Sequence, residues 1–273
     1  MTKDAAEFEF PGSEGQVLSA CIDRPAIEPM AWAVFAHCFT CSKESRAATF
    51  ISSALAERGI ATLRFDFSGL GESGGKFDST GLSQNVRDVV SAANALREHH
   101  QAPALLVGHS LGGAAVLAAA AQIPEAVAVA TIGTPFEPLL EHCAPGQLGN
   151  LKKALIVFHS PQDNVVSIDD ARSIYQAARH PKSFVSLDGA DHLLGRRSDA
   201  RYVADVLAAW ASRYLPEQSV AELPEDLPEG EVVVEGKTTG FLQKVSTRNI
   251  VFAADEPLDK GGTNLGPNPY DLL

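Results

Sequence analysis

The chain has 273 residues, 45% of them hydrophobic, with 34 acidic against 22 basic side chains and a formal net charge of −12. That length holds one large α/β domain with residues to spare. The acidic balance argues against nucleic acid as a partner, because phosphate binding needs clustered basic side chains, and no apolar run approaches the ~20 residues that a membrane-crossing helix requires.

The opening MTKDAAEFEFPG places acidic residues where a secretory signal needs a basic segment and an apolar core, so a cytoplasmic protein is expected. The first 25 residues are expected to add an antiparallel hairpin at the start of a sheet. Residues 31–36 (AWAVFA) form a short apolar run followed by turn chemistry, the pattern of a buried strand. Residues 45–58 carry apolar side chains at helical spacing and stop at Gly59, a good C-cap. A strand is predicted at 60–67 (IATLRFDF), then a loop SGLGESGG, then an amphipathic helix over 82–99.

Residues 104–107 (ALLV) are so apolar that both faces of that strand must be covered. An Ala-rich helix follows over 110–123, then strands at 127–132 and 154–158, a helix at 168–179, a strand at 183–187 and a closing helix at 199–214. Such alternation predicts an α/β fold with a mostly parallel sheet and helices on both faces. Right-handed crossovers then gather the loops after each strand on one edge, where such sheets build their sites.

From Pro216 the composition changes. Residues 216–230, rich in Pro and Glu, read as a linker, and 231–273 as a β-rich extension of two or three strand-like runs, too small to bury a core alone. Residues 1–215 are the main domain. Exposed strands in the extension could pair between chains and make a homodimer.

Gly108-His109-Ser110-Leu111-Gly112 is a G-x-S-x-G lying between the ALLV strand and the Ala-rich helix. That context turns a weak motif into a strong one: the serine sits on a strained strand-to-helix turn, facing the free N–H groups of the helix start. A serine hydroxyl is a poor nucleophile and needs a base oriented by a carboxylate. Downstream, the strand ALIVF runs into HSPQDNVVS with Asp163, and FVSL runs into DGADHLL with His192. Both loops fall on the edge that carries Ser110, in the order serine, acid, histidine.

Rival acids are Asp169 and Asp170, suited to opening a helix, and Asp188 and Asp191, suited to turns. Rival bases are His99, His100 and His180 near helix ends, His142 in an insert, and His159 ahead of the acid loop. Acyl transfer also needs an oxyanion hole, for which the main-chain N–H groups of Leu111 and Phe39 are expected. His37, Cys38, His109 and Phe136 are the expected pocket residues, with the His109 side chain turned away. Leu139, Leu140, Phe136 and Phe39 could line an acyl wall or could be ordinary packing.

Four cysteines, Cys21, Cys38, Cys41 and Cys143, are too few for a disulfide scaffold. Cys38 and Cys41 form a C-x-x-C, but no second pair of ligands is spaced for zinc, and the pair lies in a loop after a strand. A role in shaping the pocket wall explains them better than redox or metal chemistry. The segment TPFEPLLEHCAPGQLGNLKK, after the strand at 127–132, has room for a short lid at most.

Residues 31–215 resemble the α/β-hydrolases, with HCFTCSK as the oxyanion loop, LRFDFSGLGES after the next strand and GHSLGG as the nucleophile elbow. The chain departs from that pattern at Cys38, where glycine is more usual. FAADEPLDKGGTNLGPNPYDLL is similar to the early motif of the OsmC-like peroxide-reducing proteins, so the extension looks like the start of such a domain, cut short. The cysteine pair of those peroxidases has no counterpart, because no cysteine follows Cys143.

The expectation is therefore a serine hydrolase cleaving small-molecule carboxylic esters through an acyl-enzyme, with no metal or organic cofactor required. Alternatives are an aminopeptidase-like or other acyl hydrolase, since fold does not fix substrate, and a non-catalytic binding or dimerisation module attached to a peroxide-reducing domain.

Overall fold

Five strands are buried along their whole length, and they form the middle of one sheet. The computed structural model describes residues 6–26, 28–38, 41–76, 82–143, 146–215, 230–236, 241, 243–248, 250–257, 260, 266–268 and 270–271. The first unit comprises residues up to Arg24 and Pro29–Leu215; the second is built mainly from residues after 216.

In the first unit the strands are β1 (Ala6–Pro11), β2 (Val17–Asp23), β3 (Ala31–Ala36), β4 (Ile60–Phe65), β5 (Leu105–His109), β6 (Ala128–Ile132), β7 (Ala154–His159) and β8 (Lys182–Ser186). They lie in the order β1-β2-β4-β3-β5-β6-β7-β8. The expected N-terminal hairpin is present: β1 pairs antiparallel with β2, and β2 with β4. From β4 to β8 every pairing is parallel.

Every residue of β3, β4, β5, β6 and β7 is buried. Side chains alternate between faces with period two. Val34, Leu63, Leu106 and Val129 pack on one face with α2 (Ser83–His99) and α3 (Leu111–Ala119). Phe35, Leu105, Val107 and Ile156 pack on the other with α1 (Arg46–Ala56) and α6 (Arg197–Ala211). In α3 (LGGAAVLAA) all residues but Leu111 are buried, and its glycines and alanines let the helix approach the sheet closely. The predicted helix over 110–123 is shorter as observed, because its last turn tightens into a 3-10 turn, Ala120–Gln122.

Between β6 and β7 the chain forms only α4 (Glu137–His142) and a 3-10 turn, Leu148–Asn150, so no extended lid covers the sheet edge among the described residues. The helix α5 (Ile168–Ala177) follows β7. Loops after β3, β5, β6, β7 and β8 meet at one edge, as parallel connectivity requires. In the second unit β9 (Val233–Gly236), β10 (Gln243–Ser246) and β11 (Val251–Ala254) form an antiparallel sheet in the order β11-β10-β9. No helix among the described residues is long and apolar enough to cross a membrane.

Candidate active site

Ser110 follows β5 directly and adopts φ 55° and ψ −122°, a backbone conformation that costs a non-glycine residue about 1–3 kcal/mol. The surroundings hold it there. Its N–H donates to the Ile132 carbonyl at 2.8 Å, and its own carbonyl accepts from Gly113 N–H at 2.9 Å. Gly112 lies against the main-chain carbonyls of Ala36 and His37, where any Cβ would collide with backbone. The turn thus pins the start of α3 to the end of β3, and the Ser110 side chain emerges at the sheet edge.

Asp163 lies in the turn after β7, where its Oδ1 accepts from Val165 N–H and Val166 N–H, both at 2.9 Å. Its Oδ2 is 2.7 Å from His192 Nδ1, and His192 Nε2 is 3.0 Å from Ser110 Oγ. An ionised carboxylate only accepts hydrogen bonds, so Nδ1 carries the imidazole proton and Nε2 is left to accept from the serine hydroxyl. Burial pushes the Asp163 carboxyl up, but the bonds from Val166 N–H, His192 and Val165 N–H outweigh it and hold the group below its ordinary value. Gly133, at the end of β6, has φ +55°, and a Cβ there would sit 3.3 Å from both Asp163 Oδ2 and His192 Nδ1. A side chain at 133 would crowd the acid–base pair.

The rival acids have other occupations. Asp170 Oδ1 accepts from Phe136 N–H at 2.8 Å, and Asp191 Oδ1 from Gly195 N–H at 3.0 Å. Asp188 accepts from the Ser186 hydroxyl at 2.9 Å, and Asp169 lies in the first turn of α5 behind the Ser167 cap. Among the rival bases, His100 stacks on Trp32, and His142 accepts from Leu82 N–H at 3.1 Å.

On the other side of the elbow, Leu111 is the first residue of α3, and its N–H therefore has no intrahelical partner. Phe39 lies outside the described residues. The flanking residues are tightly held. His37 Nδ1–H donates to the Cys38 carbonyl at 2.7 Å, and the ring meets Phe67 edge-on with centroids 5.0 Å apart. Burial pushes the His37 imidazole down, so it stays neutral. Lys43 N–H donates to Asp66 Oδ1 at 2.5 Å, while its Nζ is 3.1 Å from Asp66 Oδ2 and also pairs with Glu72. Burial pushes the Lys43 ammonium down, but Glu72 and Asp66 outweigh it and raise it. This ion cluster ties the loop after β3 to the loop after β4.

Three of the four expected pocket residues are buried: His37 and His109, the latter expected to turn away, are 1% exposed and Cys38 is 3% exposed. Each is enclosed by the strand ends it belongs to, and only Phe136, half-buried at the start of α4, keeps accessible surface. Leu139 is in the core, whereas Leu140, Val165 and Leu193 are exposed on the elements around the triad. The C-x-x-C also differs from expectation. Cys38 and Cys41 are joined in a disulfide, their Cα atoms 5.3 Å apart, within the span that such a bond bridges. A cleft of about 310 Å³, bordered by Phe50, Glu57, Arg197 and Arg201, contains none of the triad residues.

Known proteins share the arrangement of sheet and helices that carries this constellation. Residues 28–141 match the family model described as serine aminopeptidase, S33. The esterase domain of a Rhodothermus marinus protein, a crystal structure, is 41% identical, with a TM-score of 0.69 over 78% of this chain and 100% of that one. The chain belongs to the α/β serine hydrolase family. Among curated proteins, the human mitochondrial palmitoyl-protein thioesterase ABHD10 is 44% identical over 75 residues, 28% of this chain and 23% of its own. The uncharacterised Salmonella typhi protein YfhR is 23% identical over 166 residues, 51% of this chain and 57% of its own. The chain thus spans little more than half of the curated relatives' length at most.

Proposed function

We propose that the protein hydrolyses carboxylic esters of small molecules through an acyl-enzyme on Ser110. The observation that carries this reading is the continuous relay Asp163–His192–Ser110, with contacts of 2.7 and 3.0 Å at the open edge of the sheet. His192 Nε2 takes the Ser110 proton as Oγ bonds to the substrate carbonyl carbon. Asp163 holds the imidazole in the required tautomer and balances the imidazolium that forms. The carbonyl oxygen becomes an oxyanion at the start of α3, where the Leu111 N–H donates to it; the N–H of Phe39 is the proposed second donor. Collapse breaks the bond to the leaving alcohol, which receives the proton from His192. Water then attacks the acyl-enzyme by the same route, His192 again taking the proton, and the acid is released.

Exposed Leu140, Val165 and Leu193, with half-buried Phe136, supply an apolar border suited to an acyl chain. Acyl thioesters are the second substrate class, since the same relay cleaves them and ABHD10 is a thioesterase. For the tail, the stretch FAADEPLDKGGTNLGPNPYDLL supports an OsmC-like segment.

The test is hydrolysis of p-nitrophenyl esters from acetate to decanoate by wild type and Ser110→Ala. Activity confined to wild type is the expected result, with the acyl-length optimum sizing the pocket. Equal rates in both proteins would refute the relay.

A further inference from the structure

Two histidines that the relay does not use are fully buried at the ends of the strands that carry it. His109, the last residue of β5, is 1% exposed, and His159, the last of β7, is 0% exposed. Each spends Nε2 on a main-chain carbonyl in the loop of a triad residue. His109 Nε2 is 2.7 Å from the carbonyl of His192, and His159 Nε2 is 3.0 Å from that of Val166, whose own N–H holds Asp163. In each ring Nδ1 is buried and has no hydrogen-bond partner among the described residues.

That pattern is costly for a side chain that only fills space. A carbonyl only accepts, so the single proton of a neutral imidazole must sit on Nε2, and Nδ1 is left with an unpaired lone pair. An apolar side chain would fill the position without an orphaned nitrogen. What the imidazole adds is the donated bond. The His109 ring also lies 5.4 Å from that of His192, tilted by 39°, and its titratable neighbours are His192, Asp163 and His37. Burial pushes its pKa down to about 4, against the hydrogen bond to the His192 carbonyl, so it enters the relay neither as acid nor as base near neutrality.

We propose that His109 is a positioning residue of the proposed esterase: its Nε2–H, donated to the main-chain carbonyl of His192, sets the His192 loop against the Ser110 elbow. The donor and the nucleophile are consecutive residues. Any shift of the His192 loop must therefore break a bond anchored one residue from the atom that His192 serves. His159 holds the acid loop in the same manner, one strand over.

The claim rests on the hydrolase reading, and its test separates the two. His109→Gln keeps an amide donor of similar reach, His109→Asn keeps a donor too short to arrive, and His109→Leu keeps bulk alone. With p-nitrophenyl butyrate, kcat is expected to fall about 10- to 100-fold in the Leu and Asn variants, with KM nearly unchanged, and to recover largely in Gln. The downfield proton resonance of His192 Nδ1–H should weaken in Leu and Asn and persist in Gln. If Leu fails to fold, Asn against Gln makes the same comparison. Wild-type kcat and resonance in Asn, or equal losses in Asn and Gln, overturn the proposal. If wild type hydrolyses no ester and Ser110 resists a fluorophosphonate, the hydrolase reading fails, while the resonance comparison still decides the role of His109.

Discussion

The two sides of the Ser110 elbow are held in different ways. On the relay side, short hydrogen bonds do the holding: Asp163 takes two main-chain N–H groups and His192, and His192 reaches Ser110. On the other side, the residues that follow β3 carry the Cys38–Cys41 disulfide and the buried Lys43–Asp66 pair. Directional bonds keep a proton path aligned. Crosslinks and ion pairs keep a loop from moving without contributing to proton transfer. Damage to the first side should therefore appear in turnover, and damage to the second first in stability.

The largest effects belong to the relay. Ser110→Ala and His192→Ala should each lower kcat by about 10⁴- to 10⁶-fold, and Asp163→Asn by about 10³- to 10⁴-fold, with circular dichroism and Tm close to wild type. A variant that kept its activity would place the chemistry elsewhere. On the boundary between the sides, Gly112→Ala forces a Cβ into the carbonyls of Ala36 and His37 and should cost about 3 kcal/mol in urea unfolding.

Lys43→Met sharpens the comparison, because it leaves Asp66 buried with less compensation. A stability loss of about 3 kcal/mol is expected, read from the urea midpoint, with a smaller change in kcat than any relay variant shows. A loss confined to kcat would erase the distinction between the two sides.

Acid should act through His109. Its folded value of about 4 lies below the ordinary 6.5, so the unfolded chain takes up the proton first. The stability that this neutral ring contributes is complete above pH 6.5 and is lost as pH falls toward 4, by about 3 kcal/mol. Urea midpoints at both ends of that window should diverge more in wild type than in His109→Gln, which cannot titrate. Asp163, held below 3.8, loses its contribution only at still lower pH. The smallest effect is that of Cys41→Ser, which opens the crosslink after β3 and should cost about 1–2 kcal/mol in urea unfolding with little change in kcat; a loss confined to kcat would erase the distinction between the two sides.

The convergence of Ser110, Asp163 and His192 was readable in the sequence because each follows a strand, and parallel connectivity sends all such loops to one edge. The order Ser110, Asp163, His192 needed only that rule. The N-terminal hairpin and the absence of room for a long lid were readable for similarly local reasons. The struts were not. His159 and His109 look in sequence like any histidine beside a motif, and only the structure shows each bonded to a main-chain carbonyl of a neighbouring loop. The Lys43–Asp66 pair joins residues 23 apart across two loops, with no periodic signal to mark it. The Cys38–Cys41 bond was not readable either, since C-x-x-C spacing alone also fits packing, metal or redox use. The burial of two expected pocket residues was not readable either, since His37 and Cys38 follow β3 at the sheet edge and only the packing around them shows that they are enclosed.

The central claim is that Ser110 carries the acyl group, and the most direct test is to catch it there. Wild type mixed with p-nitrophenyl butyrate, quenched in acid within the first turnover and digested, should yield the peptide containing Ser110 with a butyryl group attached, and Ser110→Ala should yield none. Turnover with no acyl group on that peptide, or with the group on another side chain, would contradict the account.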